Sequence, residues 1–450
     1  MLLQKIGRFL VLFLVGFLPW SVIVSVTGTE RFGLELMRFA KEILLAAILV
    51  VVGLDMWRKK YHPRFNKIDA VIGIYILVLI TISASTGTSL LWYIYGLRYD
   101  AEFLIAFVLF RQAVYLWDIR FWQIGKIFIL SGACMLAMSL LIRYVFGEVF
   151  LTIFGFSGQV SVWDGAGPPP IYHGIPGASI VRFQGLLEGP NQMAFFLLVY
   201  MGAYISLFSK FKKYRFINSV ILLLLVFLLT QTYSRSGLLG MILWASILMS
   251  YSIIGKIRRG HFHARHIQWK KLIATIVLIL LGWTLAVFQF GPKFTEVITR
   301  KWSTSAHFER MYIGFVRFLE QPLGHGLAQA WPASRAIAEV NQNPIPLTSL
   351  EGEMRRLGDY FFARNPDFIM STEHYYIPES WYIQQLIEGG VIGFFFFVII
   401  FALLLISLRK YPAMLAALAG VLVMNTFLHS FESVHTALVL FLIIASLNQQ

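Results

Sequence analysis

Four polar clusters interrupt an otherwise apolar sequence of 450 residues. Two carry an arginine among small or aromatic neighbours: Thr232-Tyr233-Ser234-Arg235-Ser236-Gly237, and His307-Phe308-Glu309-Arg310. A guanidinium is planar, stays charged at any relevant pH and matches phosphate oxygens through paired N–H donors. The small residues around Arg235 open a helix, whose N-terminal N–H groups add anion donors. Arg235 and Arg310 are therefore candidate phosphate ligands. A third arginine, Arg182, begins the run that ends in Glu188-Gly189-Pro190-Asn191. Pro190 suits a first helical turn, and Glu188 or Asn191 suits its cap.

The fourth cluster runs from His374, Tyr375 and Tyr376 through Pro378-Glu379-Ser380-Trp381-Tyr382 to Gln384 and Glu388. Glu379 reads in two ways. It is either a carboxylate favoured by the start of a helix, or a general base tuned by a partly dry cleft. Tyr375, Tyr376, Trp381 and Tyr382 offer flat faces for sugar rings, and residues of this kind also suit an interfacial belt. Between these clusters, Gln321-Pro322-Leu323-Gly324-His325-Gly326 has the glycines of a tight turn.

The elements that hold these clusters are apolar helices. Hydrophobic residues make up 58% of the chain and charged residues 14%, well below the charge of a soluble globular protein. Runs of about 20 apolar residues, the length of a membrane span, recur throughout. They predict helices at about 9–26, 34–54, 68–84, 101–117, 121–146, 189–208, 215–231, 235–254, 272–290, 381–407, 411–428 and 433–447. The expected architecture is an all-α polytopic membrane protein of about 12 transmembrane helices. All of 1–450 forms one membrane domain. The first apolar stretch lacks a small-residue cleavage site and reads as a span rather than a signal peptide. The single cysteine, Cys134, permits no internal disulfide or cysteine metal cluster.

The net charge of +15 first raises the question of nucleic acid. The basic residues, however, alternate with the spans. Lys5 and Arg8, Arg58–Lys67, Arg111 and Arg120, Lys210–Arg215, Lys256–Lys271 and Arg409–Lys410 together hold more than half of them. These connections are assigned to the cytoplasm, with both termini inside. The charge is thus an orientation signal and a contact for anionic lipid, which makes the bilayer a partner and excludes nucleic acid. The long connections, 147–188 and 291–377, face the other side, with short helices expected near Phe308–Glu320 and Leu347–Phe362. All four polar clusters lie on that outer side.

In this order, the clusters resemble the O-antigen ligase and polymerase superfamily over roughly Arg182 to Gly393. The Thr230–Gly237 stretch resembles its T-x-S-R-x-G signature, and Glu388-Gly389-Gly390-Val391-Ile392-Gly393 its E-x-G-hydrophobic-hydrophobic-G ending. Arg310 followed by Pro322–Gly326 resembles its arginine and P-hydrophobic-G-x-G turn. The resemblance implies a fold similar to the lipid-carrier-dependent (GT-C-like) membrane glycosyltransferases. It also implies an active site at the periplasmic face of a bacterial inner membrane. The donor would be an undecaprenyl-diphosphate-linked oligosaccharide and the second substrate an acceptor glycan, with a chain-length regulator as a further partner.

Carried over by position, Arg235 and Arg310 would act catalytically by gripping the diphosphate. Glu379 would be the catalytic base. Arg182, Asn191, His374, Tyr375, Tyr376, Trp381 and Tyr382 are the candidate substrate-binding residues. Ligases of the family have a His-Asn pair where this chain has Glu379-Ser380, which favours a polymerase over a ligase. No Asp-x-Asp pair or metal-binding spacing is present, and no cofactor is expected. A lipid-linked saccharide transporter or flippase is the rival from another class. It would carry polar groups at mid-membrane and broken helices.

Overall fold

A computed structural model describes residues 2–88, 90–160, 168–175, 178–208, 215–258, 301–330, 378–428, 431 and 433–448. The chain is mostly helical. In order, the helices are α1 (Leu2–Phe17), α2 (Ser21–Phe32), α3 (Ala40–Lys59), α4 (Lys67–Ser85), α5 (Leu90–Asp100), α6 (Glu102–Trp117), α7 (Phe121–Leu141), α8 (Pro190–Phe208), α9 (Arg215–Gln231), α10 (Arg235–Arg258), α11 (Lys301–Glu320), α12 (Trp381–Ser407), α13 (Pro412–Met424) and α14 (Val434–Leu447). Helices occupy the expected stretches with two departures: 9–26 is divided between α1 and α2 by a 3-10 turn at Leu18–Trp20, and 34–54 opens with a 3-10 turn at Glu35–Phe39 before α3; 272–290 and 347–362 lie outside the described residues. Among the described residues, five stretches are long and apolar enough to cross a membrane: Leu2–Phe32, Lys67–Ser85, Phe121–Phe146, Pro190–Phe208 and Trp381–Lys410.

Helix α5 was not among the expected elements. Its polar residues Arg98 and Asp100 break the apolar run that marks a span. The 147–188 connection carries four short strands, β1 (Ser157–Val160), β2 (Pro170–Tyr172), β3 (Gly174–Ile175) and β4 (Ala178–Val181). β1 pairs with β2 in parallel and β3 with β4 antiparallel.

The core gathers around α8 and α14. Every residue of α14 is buried, and α8 is buried from Met193 to Tyr204. Phe103, Phe401, Phe431 and Phe441 form an aromatic knot, with Phe103 stacked on Phe431 at 5.0 Å and Phe401 on Phe431 at 5.3 Å. Helices α10 and α13 touch backbone to backbone, because a Cβ on Gly420 would lie 2.7 Å from Gly240 O. Such small-residue contacts are how helices approach closely in lipid. Phe9, Phe13, Leu49, Leu77 and Ile242 point outward, as a lipid-facing surface requires.

One end of the bundle is clasped by polar contacts within the first 120 residues. Asn66 caps α4 in a reciprocal box with Asp69, and Asp69 also receives the buried guanidinium of Arg111. Trp117 Nε1 donates to Asp55 Oδ2 at 3.0 Å, and Lys59 Nζ lies 2.8 Å from the same oxygen. Gln112 exchanges hydrogen bonds with the Arg64 backbone at 3.1 and 3.0 Å. Losing one partner of a buried pair such as Asp69–Arg111 costs about 3–5 kcal/mol.

At the other end, the Pro322–Gly326 turn plugs into a break in α12. Gly390 has φ 58° and ψ −168°, which interrupts the helical ladder inside an apolar span. The freed backbone groups are met by the turn. Val391 N donates to Pro322 O at 2.9 Å, His325 N to Ile387 O at 2.7 Å and Gly326 N to Glu388 O at 3.1 Å. A broken helix at membrane depth is tolerated only where protein refills its hydrogen bonds. The Glu388 carboxylate continues the lock by accepting from Ala330 N at 3.0 Å, and Leu327 N donates to Ser83 Oγ of α4 at 2.8 Å.

Upstream of the break, Gln384 and Gln385 both donate to Asp100 Oδ1, at 2.9 and 3.1 Å, and Tyr75 donates to Gln385 Oε1. The first half of α12 is thereby fixed to α4 and α5.

Gly390 has no room for a side chain, since a Cβ there would lie 2.2 Å from Leu323 C. Gly390→Ala is expected to destabilise the fold by at least about 1–3 kcal/mol. Gly73→Ala, where a Cβ meets nothing within 4 Å, should be neutral or mildly stabilising. Thermal unfolding of both variants in detergent checks this, and equal melting temperatures would refute the lock.

Candidate functional site

The site forms where three connections meet at the end of the bundle that carries the turn. Helix α9 ends at Gln231, and Tyr233 turns the chain through a positive φ of 51° into α10. Ser234 caps α10, with Gly237 N donating to its Oγ at 3.2 Å. Arg235 is thus the first residue of the helix, as its flanking small residues predict.

Arg182 spans the gap between two segments. Its Nε donates to Thr232 O at 2.9 Å and its Nη2 to Asn191 Oδ1 at 2.9 Å. One backbone bond, Phe183 N to Gln231 O at 2.9 Å, reinforces this strut. Arg182 therefore has a structural task that its sequence neighbourhood did not reveal.

These residues line a cavity of about 240 Å³. Its polar wall is Arg182, Asn191, Tyr233, Arg235, Ser236 and His307. Its apolar wall is Leu239, Phe308, Met311, Phe427 and Leu428. A cavity with cations on one side and apolar residues on the other can hold an anionic head joined to a hydrocarbon.

Arg310 and Glu379 stand beside this cavity as an ion pair through Arg310 Nη1 and Glu379 Oε1. The other carboxylate oxygen, Oε2, is 3.0 Å from His307 Nδ1. That contact is close but lacks the alignment of a full hydrogen bond. His307 and Arg310 are one turn apart on α11, so a single carboxylate reaches both. Glu379 itself holds a φ of 49°, a conformation that costs a non-glycine residue about 1–3 kcal/mol and is concentrated at functional sites.

The remaining candidates are placed differently. Trp381 is wholly buried, tilted against Phe103 at 6.2 Å and edge-on to Phe431 at 5.8 Å. Tyr382 donates its hydroxyl to Leu422 O at 2.6 Å. Neither lines the cavity among the described residues. His374, Tyr375 and Tyr376 lie outside the described residues. Among the described residues, no group of three or more His, Cys, Asp or Glu side chains is arranged to hold a metal ion.

Sequence reasoning gave His307 no role of its own and passed over Tyr233, Phe308 and Phe427. The spacing of His307 and Arg310, i and i+3 on one helix face, was the available signal for His307.

Behind the strut, Glu188 turns away from the cavity toward His435, 3.5 Å from its Nε2. Its backbone carbonyl lies 3.3 Å from His173 Nε2. Burial pushes the Glu188 carboxyl up from 4.5 to about 7, against the opposing pull of Lys41. Burial, helped by the Arg182 charge, pushes His173 down from 6.5 to about 4, against the bond to Glu188. Both groups are therefore held neutral between about pH 4 and pH 7.

The family search returned no matching protein-family model, and no curated protein matches the chain. The class is therefore set by fold and site: a mostly helical protein with membrane-length apolar helices and an arginine-lined cavity at one end.

The stability contribution of Glu188 is full below pH 4.5 and is lost as pH rises through about 7. That of His173 runs the other way: full above pH 6.5, lost as pH falls through about 4. Glu188→Gln removes the first effect alone. The variant should match the wild type near pH 5 and exceed it near pH 8 by on the order of 1–3 kcal/mol. Thermal unfolding in detergent at the two pH values reads this, and a less stable variant near pH 8 would mean that Glu188 is ionised and usefully paired.

Proposed function

We propose that the protein is a membrane glycosyltransferase that polymerises undecaprenyl-diphosphate-linked oligosaccharide units at the periplasmic face. The observation that carries this reading is the convergence of Arg182, Arg235 and His307 on one cavity, with the Arg310–Glu379 pair reached through His307. The clusters that resemble the polymerase superfamily are well separated in sequence, yet three of them contribute to this one place.

The chemistry follows from the charges. An acceptor hydroxyl attacks C1 of the donor sugar, and the C1–O bond to the diphosphate breaks with its electron pair going to the departing oxygen. Arg235 and Arg310 neutralise the charge that grows there, the kind of stabilisation that contributes most to catalysis. A guanidinium has five N–H donors, so engagement of Arg310 with one oxygen of Glu379 is compatible with phosphate contact. The carboxylate of Glu379 drives removal of the acceptor proton. A single displacement inverts the anomeric centre. The apolar wall of Leu239, Phe308 and Met311 suits the first isoprene units of the carrier.

One observation favours transport instead: α12 is broken at Gly390 close to the buried Asp100, Gln384 and Glu388. The chain's own turn fills that break, whereas a transporter would leave such a gap for its cargo. We therefore favour transfer chemistry.

Arg235→Ala should lower turnover about 10²–10³-fold, the cost of removing one charge-stabilising donor. The assay supplies purified protein in detergent with undecaprenyl-diphosphate repeat units from the host, and products are resolved on a gel. A ladder spaced by one repeat marks a polymerase, and a single shift that needs lipid A core marks a ligase. No covalent product from the wild type would return the reading to transport.

A further inference from the structure

We infer that His307 is the base that meets the acceptor hydroxyl, with Glu379 as the carboxylate that orients and charge-balances its imidazole. The inference rests on the transferase reading above and assigns a residue within it. Of the two side chains, only His307 lines the cavity among the described residues. Glu379 is set back, with one oxygen engaged by Arg310 and the other 3.0 Å from His307 Nδ1. A carboxylate with both oxygens directed at cations or N–H groups is a poor first acceptor for a sugar proton. It is well placed to fix a histidine tautomer.

With Nδ1 turned to Glu379, the Nε2 edge is the one left for substrate. The second nitrogen's partner determines which nitrogen carries the proton. The imperfect alignment of the Nδ1 contact is of the kind that tightens when substrate binds.

The step balances without any added reagent. The acceptor O–H bond breaks as the new C1–O bond forms. The proton goes to His307 Nε2, and the imidazolium is balanced by Glu379. The electron pair of the C1–O(phosphate) bond leaves with undecaprenyl diphosphate, beside Arg235. The proton is then lost to solvent. Among the described residues, the titratable and charged groups around this imidazole are Glu379 before α12, Arg310 on its own helix, and Arg182, Tyr233 and Arg235 across the cavity.

The test uses the full chain in detergent with the undecaprenyl-diphosphate repeat unit from the host. His307→Ala should lose about 10²–10⁴-fold in turnover, the usual contribution of a general base. It should keep the wild-type occupancy of donor in native mass spectrometry, and added imidazole should restore part of the lost rate. Glu379→Gln should also lose rate, but with no rescue by imidazole. A loss under about threefold in His307→Ala overturns the assignment, as does a loss that tracks donor occupancy or that imidazole does not reverse. A wild type that forms no covalent product sinks the transferase reading itself. A wild-type ladder with an active His307→Ala sinks only the histidine.

Discussion

The geometry of the site depends on a backbone-to-backbone lock. The Pro322–Gly326 turn supplies the partners that the break in α12 leaves wanting. Helix α11 runs directly into this turn, so His307 and Arg310 are held at a fixed distance from it. The first half of α12 begins at Trp381, two residues after Glu379, so the carboxylate is held by the same join. Two segments distant in sequence thereby bring an imidazole, a guanidinium and a carboxylate together. Because the lock is made of main-chain groups, glycines at 324 and 390 matter to it for the space they leave. A Cβ on Gly324 would lie 2.7 Å from both Glu388 O and Gly390 N.

The other half of the cavity is placed by charge. Arg182 holds the Thr232 carbonyl and the Asn191 amide at once, which keeps the start of α10 beside the start of α8. Arg235 inherits its position from that strut. The cavity thus joins two separately braced pieces, one fixed by hydrogen-bonded backbone and the other by a guanidinium.

Much of this was legible in the sequence. Hydropathy located the long helices because the bilayer imposes one length and one composition on them. The arginine clusters were legible because a cation on the outer side of an inward-biased charge pattern needs a reason. Helix α5 was not, since Arg98 and Asp100 break the apolar run that marks a span. Gln384 and Glu388 read as polar residues at the start of a span, yet they are buried struts to Asp100 and to the Ala330 amide. Trp381 reads equally as a sugar platform, a belt residue or a core residue, because ring chemistry is the same in all three. Only packing against Phe103 and Phe431 distinguishes them. Whether a carboxylate faces the cavity or stands behind a histidine is a matter of tertiary placement that spacing alone does not encode.

The clasp at the far end of the bundle has a consequence for how the chain is made. Asp69 finds Arg111 42 positions later, and Asp55 finds Trp117 62 positions later. Asp55 has Lys59 one turn away from the outset, whereas Asp69 relies at first on its capping box with Asn66. All of these contacts close once residues up to about 118 have left the ribosome, before any arginine of the cavity has been synthesised. The opening quarter of the chain can therefore serve as a membrane-seated template during biogenesis, against which the later helices dock.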